Sequence, residues 1–383
     1  MKNEFKLTEI GVIPEEWEVK PLSGVCSMKS GNSITSKNID ESGKFPCFGG
    51  NGLRGYTSSY THDGTFPLIG RQGALCGNIQ LVSSKFFASE HAVVVSPKHK
   101  TDMIWLSYVL ARMNLNQYSE SSAQPGLSVS KILLLPIPLP PLPEQTAIAT
   151  ALSDMDALLA QTEKILQKKK AIKQGLMQEL LRAKEGWVVK RLGEVGTFSK
   201  GSGIRKDEAL SGEIPCIRYG ELYTKHNEVI KEIHSFISKK VSLEAKKLKT
   251  GDILFAGSGE TKEEIGKCAA FIGSFEAYAG GDIVILSPIN ANTVFLGYLL
   301  NTPLVQKQKA SRGQGDAIVH ISASQLSSVV ISLPPLPEQT RIAQILTDAD
   351  AAIQALEAKI TKLQAQKQGM MQALLTGKIR LTA

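Results

Sequence analysis

Seven residues return in order along this chain. Pro140-Pro141-Leu142-Pro143-Glu144-Gln145-Thr146 reappears as Pro334-Pro335-Leu336-Pro337-Glu338-Gln339-Thr340, a shift of 194 positions. The same shift carries Asp154 and Asp156 onto Asp348 and Asp350, Lys173-Gln174-Gly175 onto Lys367-Gln368-Gly369, and Leu180-Leu181 onto Leu374-Leu375. Register held without a gap over about 40 residues is the mark of a duplicated structural unit. Upstream, Trp17-Glu18-Val19-Lys20-Pro21-Leu22 matches Trp187-Val188-Val189-Lys190-Arg191-Leu192 at a shift of 170, which puts Gly31 on Gly201. The change of shift means that each copy is a variable tract followed by a constant one, and the second variable tract is 24 residues longer. The boundaries fall at 1–143 (with an N-terminal segment 1–16), 144–186, 187–337 and 338–383.

The constant tracts read as helices. After Pro143, Glu144 opens a long stretch without proline, and an acidic side chain near a helix N-terminus complements the macrodipole. Apolar positions follow at Ile148, Leu152, Met155, Leu159, Thr162 and Leu166, and in the second copy at Ile342, Leu346, Ala349, Ile353, Leu356, Ile360 and Leu363. Steps alternating between 4 and 3 make a seam of period 3.5, the coiled-coil repeat. Each helix spans roughly 57 Å at 1.5 Å per residue. Antiparallel pairing between them would leave a globular domain at each end, related by a pseudo-twofold; the competing arrangement packs each helix on its own domain. Gly175 and Gly369 recur near the helix ends, where glycine costs about 1 kcal/mol. Either close packing or shared ancestry accounts for that recurrence.

The variable tracts read as α/β with short strands. Phe66–Ile69, Ile79–Val82 and Ala92–Val95 alternate with glycine-rich turns before an amphipathic helix at Met103–Met113. In the second tract Asp252–Phe255 and Asp282–Leu286 are strands, and Thr293–Asn301 is the helix, with Tyr298 and Leu300 at the places of Tyr108 and Leu110. The fold class expected is therefore α+β: two α/β domains separated by two long helices that pair as an antiparallel coiled coil.

Of 383 residues, 42% are hydrophobic and 21% charged, which excludes a disordered chain. The net charge of +8 is spread along the sequence rather than gathered in a tail, so a polyanionic partner is permitted and not required. Five cysteines, an odd number without paired spacing, read as free thiols in a reducing cytoplasm. The N-terminus is charged, and the apolar run Ile132–Leu142 is short and broken by prolines, so neither a signal peptide nor a membrane span is expected. The six histidines lack metal spacing, and no nucleophile–base grouping stands out.

Taken together, these residues resemble the specificity subunit of a type I restriction–modification system. The resemblance runs over essentially the whole length. It is carried by the doubled Leu139–Gln145 and Leu333–Gln339 segments and by Gln174-Gly175-Leu176-Met177-Gln178-Glu179-Leu180-Leu181. Ile10–Trp17, Gly70–Gly73, Gly251–Leu254 and Ile214–Gly220 support it. It implies a non-catalytic reader of double-stranded DNA. Each variable domain would be a target recognition domain for half of an asymmetric bipartite site. The helices would set the half-site spacing and dock two copies of a modification subunit that binds S-adenosylmethionine and methylates adenine. Restriction subunits that use ATP and Mg would be optional further partners, and this chain would carry no cofactor or metal. A fixed spacer demanding a fixed gap agrees with half-site geometry in dimeric readers.

Two other functions compete. Phe255-Ala256-Gly257-Ser258-Gly259 is similar to the cofactor loop of a methyltransferase, but the Asp/Asn-Pro-Pro-aromatic motif needed for adenine is missing. A coiled-coil scaffold that binds only protein is the other, and it leaves the diverged loops on one preserved plan without a purpose.

Arginine and glutamine pair bidentately with guanine and adenine edges. That makes Arg71 and Gln72 candidate base readers, with Ser258, Glu260, Thr261 and Lys262 in the aligned loop of the second domain. The competing role for Arg71 is a structural salt bridge. Weaker DNA-binding candidates are Ser30, Asn32, Ser33 and Lys37, matched by Ser202, Arg205 and Lys206; Asn51, Arg54 and Tyr56, matched by Arg218, Tyr219 and Glu221; and Gln124 with Ser128, matched by Arg312, Gln314 and His320. Lys168-Lys169-Lys170 reads as a solvated or partner-docking face.

Overall fold

The computed structural model describes residues 4–73, 75–98, 101–119, 126–315 and 318–381, the Lys206 side chain excepted. Contacts divide the chain into two compact units, Met1–Lys164 with Glu357–Ala383, and Ile165–Leu356.

In the first unit a six-stranded sheet runs in the order Cys26–Ser30, Ala92–Pro97, His62–Gly70, Ile79–Ala88, Phe45–Gly49, Gly52–Thr57. Every pairing is antiparallel except that of Phe45–Gly49 with Ile79–Ala88. Ala92–Val95 is an unbroken apolar run because both of its faces are covered. Val93 and Val95 enter the cluster of Trp105, Leu106 and Leu110 on the helix Met103–Arg112, and Ala92 and Val94 pack with Phe48, Leu68 and Phe86. The expected strands are present and longer at their polar ends.

The second unit holds a five-stranded sheet in the order Gly196–Lys200, Ile283–Pro288, Ile253–Ala256, Cys268–Phe271, Val229–Ile230. It also holds a four-stranded sheet, Ser235–Ile237, Ile214–Ile217, Tyr278–Ala279, Lys246–Lys247. The longer variable tract thus builds additional sheet. Asp252 lies outside its strand because its carboxylate accepts from the Lys249 N–H (2.8 Å) and the Ser287 hydroxyl (2.6 Å), closing a turn. The helix here is Thr293–Leu299.

The long helices run Leu142–Leu180 and Leu336–Leu374, 39 residues each. They begin two residues before Glu144 and Glu338, so Pro143 and Pro337 lie in the first turn, where the absent N–H has no intrahelical partner to lose. Within each unit the two helices run antiparallel. In the first, Ile148 and Leu152 share a cluster with Leu374 and Leu375, while Asp156 further along one helix meets Lys367 further back on the other. In the second, Ile342 and Leu346 share a cluster with Leu181, and Asp350 meets Lys173.

Of the seam, Ile148, Leu152, Leu159, Leu166, Ile342, Leu346 and Leu363 are buried, and Met155, Ile353, Leu356 and Ile360 are half-buried. Its first positions serve two purposes, since Ile148 and Leu152 also pack on Trp17, Trp105 and Ile137 of the domain. Helix pairing and domain packing, set as alternatives by the sequence, both occur. Close packing does not explain the recurrent glycines, because a Cβ added at Gly175 or Gly369 meets nothing within 4 Å.

The repeated motif has a mechanical role in each unit. Gln145 donates to its own strap at Pro140 O (2.9 Å) and accepts from the N–H of Asp102 (3.0 Å). Gln339 does the same with Pro334 O (2.8 Å) and the N–H of Asn292 (2.9 Å). Asp102 and Asn292 are the N-caps of the two domain helices, their side chains accepting from Trp105 N–H (3.0 Å) and Phe295 N–H (2.9 Å). One amide therefore fastens the start of a long helix to the start of a domain helix.

Candidate nucleic-acid interface

In the first unit the candidate readers sit on the loop between His62–Gly70 and Ile79–Ala88. Its base is closed by hydrogen bonds from Gly70 N–H to Asn78 O (2.9 Å) and from Gly77 N–H to Gly70 O (2.8 Å). Gly77 has φ +86°, and a Cβ there would come within 2.5 Å of the Asn116 nitrogen, so the close approach needs glycine. Asn116 in turn donates to Cys76 O (2.8 Å). Arg71 and Gln72 emerge exposed from this frame. Arg71 Nη1 donates to Ser30 Oγ (3.1 Å), so its observed partner is a neutral hydroxyl rather than a carboxylate. Two groups separated by 41 positions are thereby joined. Asn32, Ser33 and Lys37 follow on the same exposed stretch, its backbone held by Asn32 N–H to Ala88 O (2.9 Å). Asn51 and Arg54 are exposed on the hairpin of Phe45–Gly49 and Gly52–Thr57, with Tyr56 half-buried. Ser128 precedes the helix Val129–Leu133, and Gln124 lies outside the described residues.

In the second unit the corresponding loop connects Ile253–Ala256 to Cys268–Phe271. Glu260, Thr261 and Lys262 are exposed on it. Its base is held from below by the helix Pro303–Ala310. Gln306 Nε2 donates to Glu263 O (2.9 Å) and Ile265 O (2.8 Å), and Lys309 Nζ donates to Gly266 O (2.6 Å). Tyr223 OH donates to Ser258 O (3.1 Å), and Lys267 Nζ to Tyr223 O (3.2 Å). Lys309 is fully buried, and burial pulls its pKa down to about 8, with Cys268 opposing.

Two candidates here have structural duties. Ser258 is buried, and its hydroxyl meets His320 Nδ1 at 2.9 Å, so it holds an exposed histidine rather than facing out itself. Arg312 spends its guanidinium on Ser328 Oγ (2.8 Å), Gln308 O (2.7 Å) and Ser328 O (3.3 Å). That network clamps the end of one helix to the segment before the last strand. Gln314 and His320 exchange backbone hydrogen bonds of 2.9 and 2.7 Å and line a concavity of about 530 Å³ with Lys200, Ser258 and Asp282. A second concavity of about 670 Å³ gathers Arg205, Arg218, Tyr219, Lys225 and His234. Ser202 donates to Glu244 O (2.8 Å), and Lys206 opens the short turn Lys206–Glu208.

The sequence did not expose two features. The Glu144 carboxylate is buried and accepts from Trp17 Nε1 (2.8 Å), Arg380 Nε (2.7 Å) and Arg380 Nη2 (2.9 Å), whereas Glu338 is half-buried. Lys309 carries no signal beyond its place four residues after the buried Val305 on one helix face. All five cysteines are free and buried. Among the described residues no cluster of three or more His, Cys, Asp or Glu is arranged to hold a metal, and no helix is long and apolar enough to cross a membrane.

The family described as type I restriction modification DNA specificity domain matches twice, at residues 14–174 and 184–365. A putative type I restriction enzyme specificity subunit of Haemophilus influenzae is 31% identical over 363 residues, covering 90% of this chain and 91% of that protein. The EcoprrI specificity subunit of Escherichia coli is 46% identical over 147 residues, 37% of either chain. Among solved structures, a type I restriction-modification S subunit from M. genitalium superposes with a TM-score of 0.67 at 16% identity, covering 98% of this chain and 99% of that one. A chain from a second type I system, solved in work on complex assembly, gives 0.53 at 16% identity, covering 96% and 99%.

Proposed function

The chain belongs to the family of type I restriction–modification DNA specificity subunits, and from that membership we propose how its parts divide the work. Residues 1–143 and 187–337 are the two target recognition domains, each reading one half of an asymmetric bipartite site in double-stranded DNA. Residues 144–186 and 338–383 set the gap and dock two copies of a modification subunit. That partner brings S-adenosylmethionine and methylates adenine, and restriction subunits using ATP and Mg complete the assembly where present. The chain supplies specificity and no catalysis, which sets aside a methyltransferase in its own right and a protein-only scaffold.

The observation that carries the reading is a contrast. Both units fasten a domain helix to a long helix through the same Gln–N-cap bond. The loops displayed beyond that joint differ, Arg71 and Gln72 in one and Glu260, Thr261 and Lys262 in the other. A preserved mount with diverged exposed loops is what a two-part reader of an asymmetric sequence requires. Arg71 and Gln72 read one half-site. Glu260, Thr261 and Lys262, with Gln314 and His320 beside them, read the other. The test is co-expression with the modification subunit encoded beside it, followed by sequencing of methylated adenines. A split asymmetric motif that appears only with this chain supports the reading, and methylation indifferent to the chain defeats it.

A further inference from the structure

Three residues recur under the duplication and come together in both units. In the first, Tyr108 OH on the domain helix donates to Asp156 Oδ2 on the first long helix (2.7 Å), and Lys367 Nζ on the second long helix pairs with Asp156 Oδ1 (2.5 Å). The Lys367 ammonium also lies 5.6 Å from the Tyr108 ring centre. In the second unit, Tyr298 OH donates to Asp350 Oδ2 (2.5 Å), Lys173 Nζ pairs with Asp350 Oδ1 (2.7 Å) and lies 5.4 Å from the Tyr298 ring, and Glu228 Oε2 adds a second acceptor at 3.3 Å. The long helices exchange parts between units. The aspartate comes from the first helix in one case and the second in the other.

Each trio ties three elements at one point. The Gln145 and Gln339 bonds tie the same domain helices at another, eleven residues away along the long helix, roughly 16 Å at 1.5 Å per residue. A single attachment lets a domain pivot, and two attachments that far apart define its angle. Charge supports the joint. Burial alone would pull the Lys173 pKa down, yet Glu228 and Asp350 more than restore it and leave it raised. The Tyr108 hydroxyl is pushed up to about 12, mainly by burial, so it stays a donor.

We propose that Tyr108–Asp156–Lys367 and Tyr298–Asp350–Lys173 are positioning residues that fix the angle of each target recognition domain on the helices, and so restrict the gap between half-sites that the protein accepts. The inference rests on the function proposed above. None of the six touches DNA or a reacting atom. They act through the domains they hold.

The experiment uses the full chain assembled with its modification subunit. Duplexes carry the two half-sites found by methylation sequencing, at the native gap and at gaps one base pair shorter and longer. Methylation rates are compared for the natural protein, Tyr298→Phe, Asp350→Asn and Lys173→Met. The expected result is a fall of about ten-fold in the ratio of native-gap to altered-gap rates for Asp350→Asn, the size of a lost pairwise coupling. The corresponding variants of Asp156 and Lys367 should do less, because Asp156 is 41% exposed where Asp350 is 16%. The paired exchange Asp156→Lys with Lys367→Asp rebuilds the ion pair but leaves the Tyr108 hydroxyl without its acceptor at position 156, so it should recover only the part of the ratio that the ion pair contributes. Rates that fall equally at all gaps mean a merely structural role and overturn the inference while leaving the function standing. A natural protein that yields no split motif overturns both.

Discussion

Replacing Lys309 by methionine tests the physics beneath the loop that joins Ile253–Ala256 to Cys268–Phe271. Lys309 is 0% exposed, its ammonium donates to Gly266 O at 2.6 Å, and the Phe255 ring centre lies 5.9 Å away. Burial lowers its pKa from 10.5 to about 8, an effect Cys268 only partly offsets. That depression corresponds to roughly 3 kcal/mol. Because the folded pKa lies below the unfolded one, the unfolded chain holds more protons between about pH 8 and pH 10.5, and stability rises with pH across that window. As pH falls from 10.5 to about 8 that gain is lost, and below 8 the folded protein carries a buried charge and this group adds no further pH dependence. Methionine keeps the length and removes the titration, at the cost of leaving Gly266 O without its donor, about 1–3 kcal/mol. At pH 7 the two effects nearly cancel, and Lys309→Met should be within about 2 kcal/mol of the natural protein. At pH 10.5 the charge penalty is gone, and the variant should be the less stable by about 1–3 kcal/mol. Urea denaturation of both proteins from pH 6.5 to 10.5, plotted as a difference, isolates this one residue from all others that titrate. Parallel curves would refute the reasoning, since they would mean that the amine is hydrated or titrates elsewhere.

Further single changes have expected outcomes. Arg380→Ala leaves the buried Glu144 carboxylate with Trp17 as its remaining side-chain donor and should cost roughly 3–5 kcal/mol in denaturant, the usual penalty for orphaning a buried charge; Glu338→Gln, at the matching position in the repeat, should stay within about 0.5 kcal/mol. Gly175→Ala and Gly369→Ala should each stabilise by about 0.5–1 kcal/mol, because the new methyl meets open space inside a helix; a fall in thermal midpoint would refute that reasoning. Arg71→Ala should weaken binding to the cognate duplex by roughly 1–3 kcal/mol, and more than it weakens binding to random sequence. In a gel-shift, Arg312→Ala should instead lower both together, since its guanidinium is taken up by Ser328 and Gln308.

The sequence made the long helices legible because periodicity and self-similarity are local signals. Ile148, Leu152 and Leu159 and their counterparts repeat often enough to fix a helix face. The sheet cores were legible as short unbroken apolar runs between glycine-rich turns, as in Ala92–Val95. Features decided by partners far along the chain were not. Glu144 meets Arg380 across 236 positions, and nothing near either residue announces it. Arg312 and Ser258 have the side chains of DNA readers, and only their surroundings assign them to holding Ser328 and His320. Lys309 runs against the strongest prior of all, that lysine stays in water. The exposed loop positions, Arg71, Gln72, Glu260, Thr261 and Lys262, were legible as a place, since the turn follows a strand in both copies.

The duplication supplies an internal control that separates what the fold needs from what one unit needs. Gln145 and Gln339 make the same two bonds, to the strap behind and to the N-cap in front, so this position recurs because both domain helices are mounted through it. Tyr108, Asp156 and Lys367 recur as Tyr298, Asp350 and Lys173 with their contacts intact. Glu144 and Glu338 recur in sequence alone. One carboxylate binds Trp17 and Arg380, and the position in the first copy that matches Arg380 is Gly186, which has no side-chain donor to offer. The favourable placement of an acid in the first turn of a helix is common to both glutamates and suffices to retain them. The ion pair is therefore an addition made in one unit on a residue the fold already favoured. Identity between repeats marks a shared role only when the partners recur as well, and by that standard the mount and the joint are common to both domains while the loops they carry are not.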